Sequence, residues 1–244
     1  IGLGIPAEPL FRSDSVMEVL RMYPLDFEEF CRAQGVSDRV FHHLKMAYDE
    51  ARPVDEVIHT QMMSLFRLYL VVGGMPSVVQ RYLDTNNIQE VVREQQNIVN
   101  MYEADITKYD LEHKLYIRHI FDLIPGELSN GNKRFIMKRM NEKARFSQLE
   151  NSFLWLADAG VALPTYAANE PQYPLRLSMS RNLFKLFLAD VGLLSSMYMN
   201  GIQLRILNGE QDLNFGAVYE NFAAQELTAH RVRSEERFSR NAET

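Results

Sequence analysis

The 244-residue chain is 46% hydrophobic and 24% charged with a net charge of −6, the balance of a globular protein with one to three domains. Its single cysteine, Cys31, excludes a disulfide framework and a cysteine-based zinc site, and the longest apolar run, Leu68 to Pro76, is too short to span a bilayer. We therefore expect a cytoplasmic protein that has no membrane partner.

The charge is distributed unevenly along the chain. Residues 1–110 hold 10 Lys and Arg against 17 Asp and Glu, whereas residues 111–244 hold 16 against 15. Six basic residues cluster between positions 133 and 145, where Glu142 is the only acidic residue. They are Lys133, Arg134, Lys138, Arg139, Lys143 and Arg145. This pattern indicates two modules with different partners, unless the basic cluster is one solvated face of a helix.

The first 110 residues predict a helical bundle. Asp26 has the position of a helix N-cap or of an acidic residue in the first turn, and Gly35 has the position of the stop that follows the helix. Apolar residues at spacings of three and four, together with Pro and Gly breaks, predict four further helices: from Ser37 to about Arg52, from Val54 to Gly73-Gly74, from Pro76 onward, and from Ile88 to Tyr109.

Residues 111–190 predict helices followed by strands. One helix covers Leu115–Leu128, and a second covers Ser147–Ala159 with Ser147 as its N-cap. Three strands are predicted after Gly160, at Val161–Ala167, Pro171–Ser178 and Phe184–Leu188. Helices followed by a strand pair with a loop tip at residues 169–171 are typical of a winged helix-turn-helix.

Five short runs of residues occur in a characteristic order and spacing. They are Tyr23-Pro-Leu-Asp-Phe-Glu-Glu-Phe30, Gly73-Gly-Met-Pro76, Asp105-Ile-Thr-Lys-Tyr109, Phe187-Leu-Ala-Asp-Val-Gly-Leu-Leu194 and Tyr219-Glu-Asn-Phe-Ala-Ala-Gln-Glu-Leu227. Together they resemble the prokaryotic AAA+-like predicted ATPases that carry a C-terminal domain of unassigned function, and they span most of residues 16–229.

The resemblance implies a mainly α fold, α+β overall, with four parts. These are the tail of an ATPase core at 1–24, a helical lid or bundle at 25–110, a winged-helix-like domain at 111–190, and the opening and end of a nuclease-like α/β domain of the PD-(D/E)xK type at 191–244. It also implies ATP and Mg²⁺ as cofactors of the full-length protein. Arg12, which lies nearest the core, is the candidate for a lid arginine that contacts nucleotide phosphates.

The chain departs from the family pattern in two places. It contains no Gly-Lys dipeptide, so it has no phosphate-binding loop, and ATP hydrolysis would have to come from residues outside it. Glu220 matches the helix carboxylate of the nuclease-like fold, but the Asp and the acid-x-Lys strand that would complete a metal site are not found after Leu227. Glu220 is therefore interpreted as a vestigial or structural carboxylate rather than an active one.

The basic cluster lies where a winged helix can reach phosphates on both sides of a DNA groove, and Arg176 and Arg181 would extend that surface. Winged helices also bind proteins, so protein partners and self-association remain open. Two functions are weighed: a regulatory portion of an AAA+-like ATP-binding protein that binds DNA or protein, and a non-enzymatic winged-helix module with a degenerate nuclease-like tail.

Overall fold

The computed structural model describes residues 21–108, 114–130, 135–136, 146–168, 179–198, 201–210 and 215–241. Within these residues the chain forms ten helices and two strands: α1 Phe27–Ala33, α2 Asp38–Asp49, α3 Glu56–Val72, α4 Pro76–Thr85, α5 Ile88–Thr107, α6 Lys114–Ser129, α7 Phe146–Asp158, β1 Ala162–Ala168, β2 Met179–Leu188, α8 Val191–Met197, α9 Ile202–Leu207 and α10 Gly216–Asn241. The predicted fold class, mainly helical with a little strand, is confirmed.

Helix α1 begins at a capping box. The Asp26 carboxylate accepts a hydrogen bond from the Glu29 N–H at 2.8 Å, and the Glu29 carboxylate accepts one from the Asp26 N–H at 3.0 Å. Each side chain thus satisfies a main-chain donor that the first turn leaves without a helical acceptor. Gly35 follows the helix with φ of 86°, which glycine adopts at little cost. The predicted N-cap and stop are both confirmed.

A sharp turn joins α3 to α4. Gly73 ends α3 with φ of 75°, and Pro76 occupies the first position of α4, where its missing N–H costs no helical hydrogen bond. The two helices meet at a bend of 119°. In the described part of the chain no single helix is long and apolar enough to cross a membrane, although α3 and α4 taken together have the length and composition.

Helix α8 is the central helix of the bundle and packs against both α3 and α5. Its residues 191–195 are buried, and a Cβ atom at Gly192 would collide with the Val72 backbone. The buried Gln95 of α5 donates to the carbonyl oxygens of Val71 and Val72, which end α3. Neither α8 nor α9 is predicted from the sequence, because seven and six residues are too few to show a helical period.

Strands β1 and β2 pair in antiparallel fashion, with Ala162 opposite Leu188 and Tyr166 opposite Phe184. The Phe135 N–H donates to the Phe184 carbonyl oxygen at 3.1 Å, which places residues 135–136 beside β2 on the side away from β1. The rings of Phe135, Phe153 and Phe184 lie 5.0–5.9 Å apart and join this sheet to α7.

The predicted strand Val161–Ala167 is confirmed as β1, which pairs with β2, whereas the predicted strand Pro171–Ser178 lies outside the described residues. Strand β2 begins at Met179, five residues before the predicted start at Phe184. Burial explains the pairing, since Phe184, Leu186 and Leu188 are all at most 3% exposed and require the core face of the sheet.

Helix α7 begins at Phe146, so Ser147 lies within the first turn rather than at the predicted N-cap. Its predicted end is confirmed, because Gly160 follows it with φ of 70°. The buried apolar residues form one contiguous cluster that extends from Phe30 in α1 to Val218 in α10. Helix α10 packs against α3, α6, α8 and both strands, and so closes the fold.

Candidate functional site

Three segments that are distant in sequence meet at one buried junction. They are residues 25–27 at the start of α1, the turn between α3 and α4, and Asp190 at the start of α8. The Leu25 N–H donates to the Gly74 carbonyl oxygen at 2.8 Å, and the Gly74 N–H donates to Asp190 Oδ2 at 2.6 Å. A Cβ atom at Gly74 would collide with the Leu25 carbonyl oxygen, so the close approach requires glycine.

Asp190 is fully buried and caps α8, since its Oδ1 accepts from the Leu193 N–H at 2.9 Å. Burial raises the pKa of the Asp190 carboxyl to about 6, and hydrogen bonds from the main chain of Gly74, Leu193, Gly192 and Met75 oppose that rise. This carboxylate therefore joins the turn to α8 through main-chain donors from both segments.

Helix α10 reaches the same junction through two neighbouring residues. The Gln225 side chain donates to the Tyr69 hydroxyl at 2.8 Å and accepts from the Val191 N–H at 2.9 Å. The Tyr69 hydroxyl in turn donates to the Leu25 carbonyl oxygen at 2.5 Å. Burial raises the pKa of the Tyr69 hydroxyl, which keeps it protonated and able to donate.

Glu226 connects α10 to α1. Its Oε1 accepts from the Phe27 N–H at 3.0 Å, and the side chain is 16% exposed. Burial raises the pKa of the Glu226 carboxyl, the Phe27 hydrogen bond lowers it, and the nearby charge of Asp26 raises it further. Glu226 thus has a structural role at the junction and lies apart from Glu220.

One turn before Gln225, Asn221 is fully buried and pairs with the main chain of Leu188. Its Oδ1 accepts from the Leu188 N–H at 2.8 Å, and its Nδ2 donates to the Leu188 carbonyl oxygen at 3.0 Å. The sequence did not single out Asn221 or Gln225 for this role. The available signal was their spacing of four, which places both amides on the buried face beside Val218 and Phe222.

The predicted carboxylate Glu220 lies on a different face of α10. Its Oε2 accepts a hydrogen bond from Lys185 Nζ of β2 at 2.8 Å, and the two side chains are 37% and 36% exposed. Lys185 was not predicted as a site residue. Across the part of the chain that the structure describes, no group of three or more His, Cys, Asp or Glu side chains could hold a metal ion.

A family model described as a domain of unknown function, DUF8612, matches residues 63–205, more than half of the chain. The chain belongs to the DUF8612 family. The matched region runs from α3 into α9 and includes Gly74 and Asp190, while α1 and α10 lie outside it. No curated protein and no solved structure matches the chain.

Most of the predicted contacts to DNA and nucleotide lie outside the described residues of this DUF8612 protein. They are Arg12, Lys133, Arg134, Lys138, Arg139, Lys143, Arg145 and Arg176, and Arg181 belongs to β2 but its side chain is not described. On α7 the described exposed residues include Asn151, Leu154 and Asp158. This part of the α7 surface is apolar and acidic rather than basic.

Proposed function

We propose that this chain is a regulatory portion of an AAA+-like ATP-binding protein, in which residues outside the chain bind and hydrolyse ATP. The observation that supports this proposal most directly is the buried junction. By the resemblance given above, the ATPase core ends at residue 24. Residues 25–27, which come directly after it, are held by hydrogen bonds from the Leu25 N–H to Gly74, from Tyr69 of α3 to Leu25, and from the Phe27 N–H to Glu226 of α10.

These contacts provide a route by which a movement of the core would reach the rest of the chain. A displacement of residues 21–26 must break the Leu25 hydrogen bonds or move Gly74 and Tyr69 with it. Gly74 is bonded to Asp190 and Tyr69 to Gln225, so the movement would reach α8 and α10 as packed, rigid elements. The junction has the form expected of a relay between modules rather than of a catalytic centre.

The experiment that tests this function uses the protein as its source organism makes it. Its intact mass should exceed 28.3 kDa, and the preceding residues should contain a phosphate-binding loop that supports ATP hydrolysis. Replacing the lysine of that loop should abolish hydrolysis, whereas Tyr69→Phe should leave the basal rate intact and weaken its response to the natural partner. A native mass of 28.3 kDa, or a longer protein without ATP hydrolysis, would overturn the proposal.

A second candidate function is a non-enzymatic winged-helix module that binds nucleic acid or protein. The order α6, residues 135–136, α7, β1 and β2, with Phe135 bonded to Phe184, supports it. The test is a titration of fluorescent duplex DNA at increasing salt. If the basic cluster contacts DNA, the logarithm of the association constant should fall with the logarithm of the salt concentration, with a slope of about −0.9 for each phosphate contacted. The double substitution Lys138→Glu and Arg139→Glu should make that slope shallower by about two such contacts. If the affinity for DNA changes neither with the salt concentration nor with these substitutions, the basic cluster does not bind DNA, and a protein is the partner.

A further inference from the structure

A groove of about 610 Å³ lies between the two-stranded sheet and α10. Helix α10 is fixed to the end of β2 by the Asn221 hydrogen bonds to Leu188, and the groove borders the helix from Glu220 to Thr228. Glu220 and Thr228 are eight residues apart, which corresponds to about 12 Å along a helix. The groove is therefore long enough for three or four residues of an extended peptide.

Small side chains on both walls keep the groove open. Thr165 and Ala167 of β1 form part of one wall, and Ala223 and Ala224 of α10 form part of the other. Two leucines at the groove remain accessible to solvent: Leu183 is 37% exposed and Leu227 is 73% exposed. Apolar side chains that stay exposed beside a cavity favour a partner that covers the rim as well as filling the interior.

Lys185 supplies a polar contact in this groove. Its ammonium group carries three N–H donors, of which the described contacts assign one to the Glu220 carboxylate at 2.8 Å. Because Glu220 lies against Lys185, a second carboxylate placed beside Lys185 would be repelled by Glu220. A neutral acceptor such as a main-chain carbonyl oxygen complements the pair without that repulsion.

We propose that this groove binds a short apolar segment of a partner protein, with a main-chain carbonyl oxygen of the segment accepting a hydrogen bond from Lys185. The segment lies across the face of the sheet rather than adding to its edge, because Pro164 removes a main-chain donor from β1. Apolar side chains of the partner cover Leu183 and Leu227.

The test begins with phage-displayed random dodecapeptides selected on the immobilised chain. Recovered peptides are labelled and titrated by fluorescence anisotropy. Ala223→Trp, which fills the groove from an exposed helix position, should weaken binding by at least about tenfold. Lys185→Met should weaken it by about three- to tenfold through the lost hydrogen bond, and Lys185→Arg should restore most of the affinity. Ala33→Trp, at an exposed position in α1, is the matched control and should leave affinity unchanged.

The outcomes separate the possible occupants. Failure to recover any peptide, or equal affinity of the peptides for the Ala223→Trp variant, would overturn the proposal. A concentration-dependent dimer in sedimentation that Ala223→Trp abolishes would also overturn it, since a second copy would then fill the groove. Thermal unfolding confirms that each variant is folded. If the Ala223→Trp variant does not fold, Leu227→Lys tests the same surface from a position that is 73% exposed.

Discussion

Gly74 and Asp190 are 116 residues apart in the sequence, yet the Gly74 N–H donates to the Asp190 carboxylate at 2.6 Å within the core. This contact joins the turn after α3 to the start of α8. The Leu25 N–H donates to the carbonyl of the same glycine, so one residue holds two other segments in place. The buried junction, rather than the predicted carboxylate Glu220, is where the motif residues converge.

Gly74→Ala should destabilise the fold by about 2–4 kcal/mol, because the added methyl group collides with the Leu25 carbonyl oxygen. Gly126→Ala in α6 is the matched control. Its Cβ would meet nothing within 4 Å, so it should stabilise the helix by up to about 1 kcal/mol. Urea unfolding measures both free energies. Equal effects of the two substitutions would contradict the close packing of Leu25 on Gly74.

The free energy of unfolding should depend on pH through Asp190. Its pKa is raised from 3.8 to about 6 in the folded state, so the folded protein binds this proton more tightly than the unfolded chain does. The associated stability is fully present below about pH 4 and is lost as the pH rises through about 6. A change of two pKa units corresponds to about 3 kcal/mol at most.

The Asp190→Asn variant isolates this effect. Its side chain does not titrate, while Glu226, whose pKa is also raised by burial, titrates in both proteins and cancels in the comparison. The stability of the unsubstituted protein relative to the variant should therefore fall between pH 4 and pH 6 and stay constant above about pH 7. Urea unfolding at several pH values measures it. A difference that is constant over the whole range would show that Asp190 is not desolvated as described.

Asn221→Ala should cost about 2–4 kcal/mol, because it leaves the buried N–H and carbonyl of Leu188 without the side-chain partner that now satisfies them. Asn97→Ala in α5 is the control at an exposed helix position, and it should change stability by less than about 0.5 kcal/mol. Both are measured by urea unfolding. A small effect at Asn221 would mean that water replaces the amide at the end of β2.

Cys31 should be unreactive in the native protein. Burial, assisted by the charges of Glu28, Asp26 and Glu226, raises the pKa of its thiol to about 12, so little thiolate forms near neutral pH. Labelling with Ellman's reagent should be about a thousandfold slower than at a cysteine introduced by Ser64→Cys, which is exposed on α3. Equally fast labelling of both cysteines would show that α1 opens readily from α3.

Much of the helical part is predictable because its signals are local. Asp26 and Glu29 cap α1 within one turn, Pro76 opens α4, and the apolar stripe from Ile88 specifies α5. The partner of β1 is not predictable in this way. Both 171–178 and 184–188 have strand-like patterns, and the pairing of β1 with β2 depends on which apolar face the core can bury.

The candidate sites also differ in whether their residues can be recognised from local sequence. Glu220 stands out in the sequence because it belongs to a motif, but its partner Lys185 lies 35 residues away and no spacing rule connects them. Asn221 and Gln225 are ordinary polar helix residues until the packing of α10 turns them toward Leu188 and Val191. The basic residues of the cluster were found by composition alone, and their placement lies outside the described residues.

The sequence by itself determined the start of α1 and of α4, the mainly α fold class and the lack of a phosphate-binding loop in this chain, because caps, apolar periods and a missing Gly-Lys dipeptide are properties of neighbouring residues. Only the tertiary structure decided that Leu25, Gly74, Asp190 and Gln225 form one junction and that a groove opens beside Lys185. Hydrogen bonds between distant segments form only when the core brings those segments together. Burial then strengthens these hydrogen bonds, and no local pattern of residues encodes that effect.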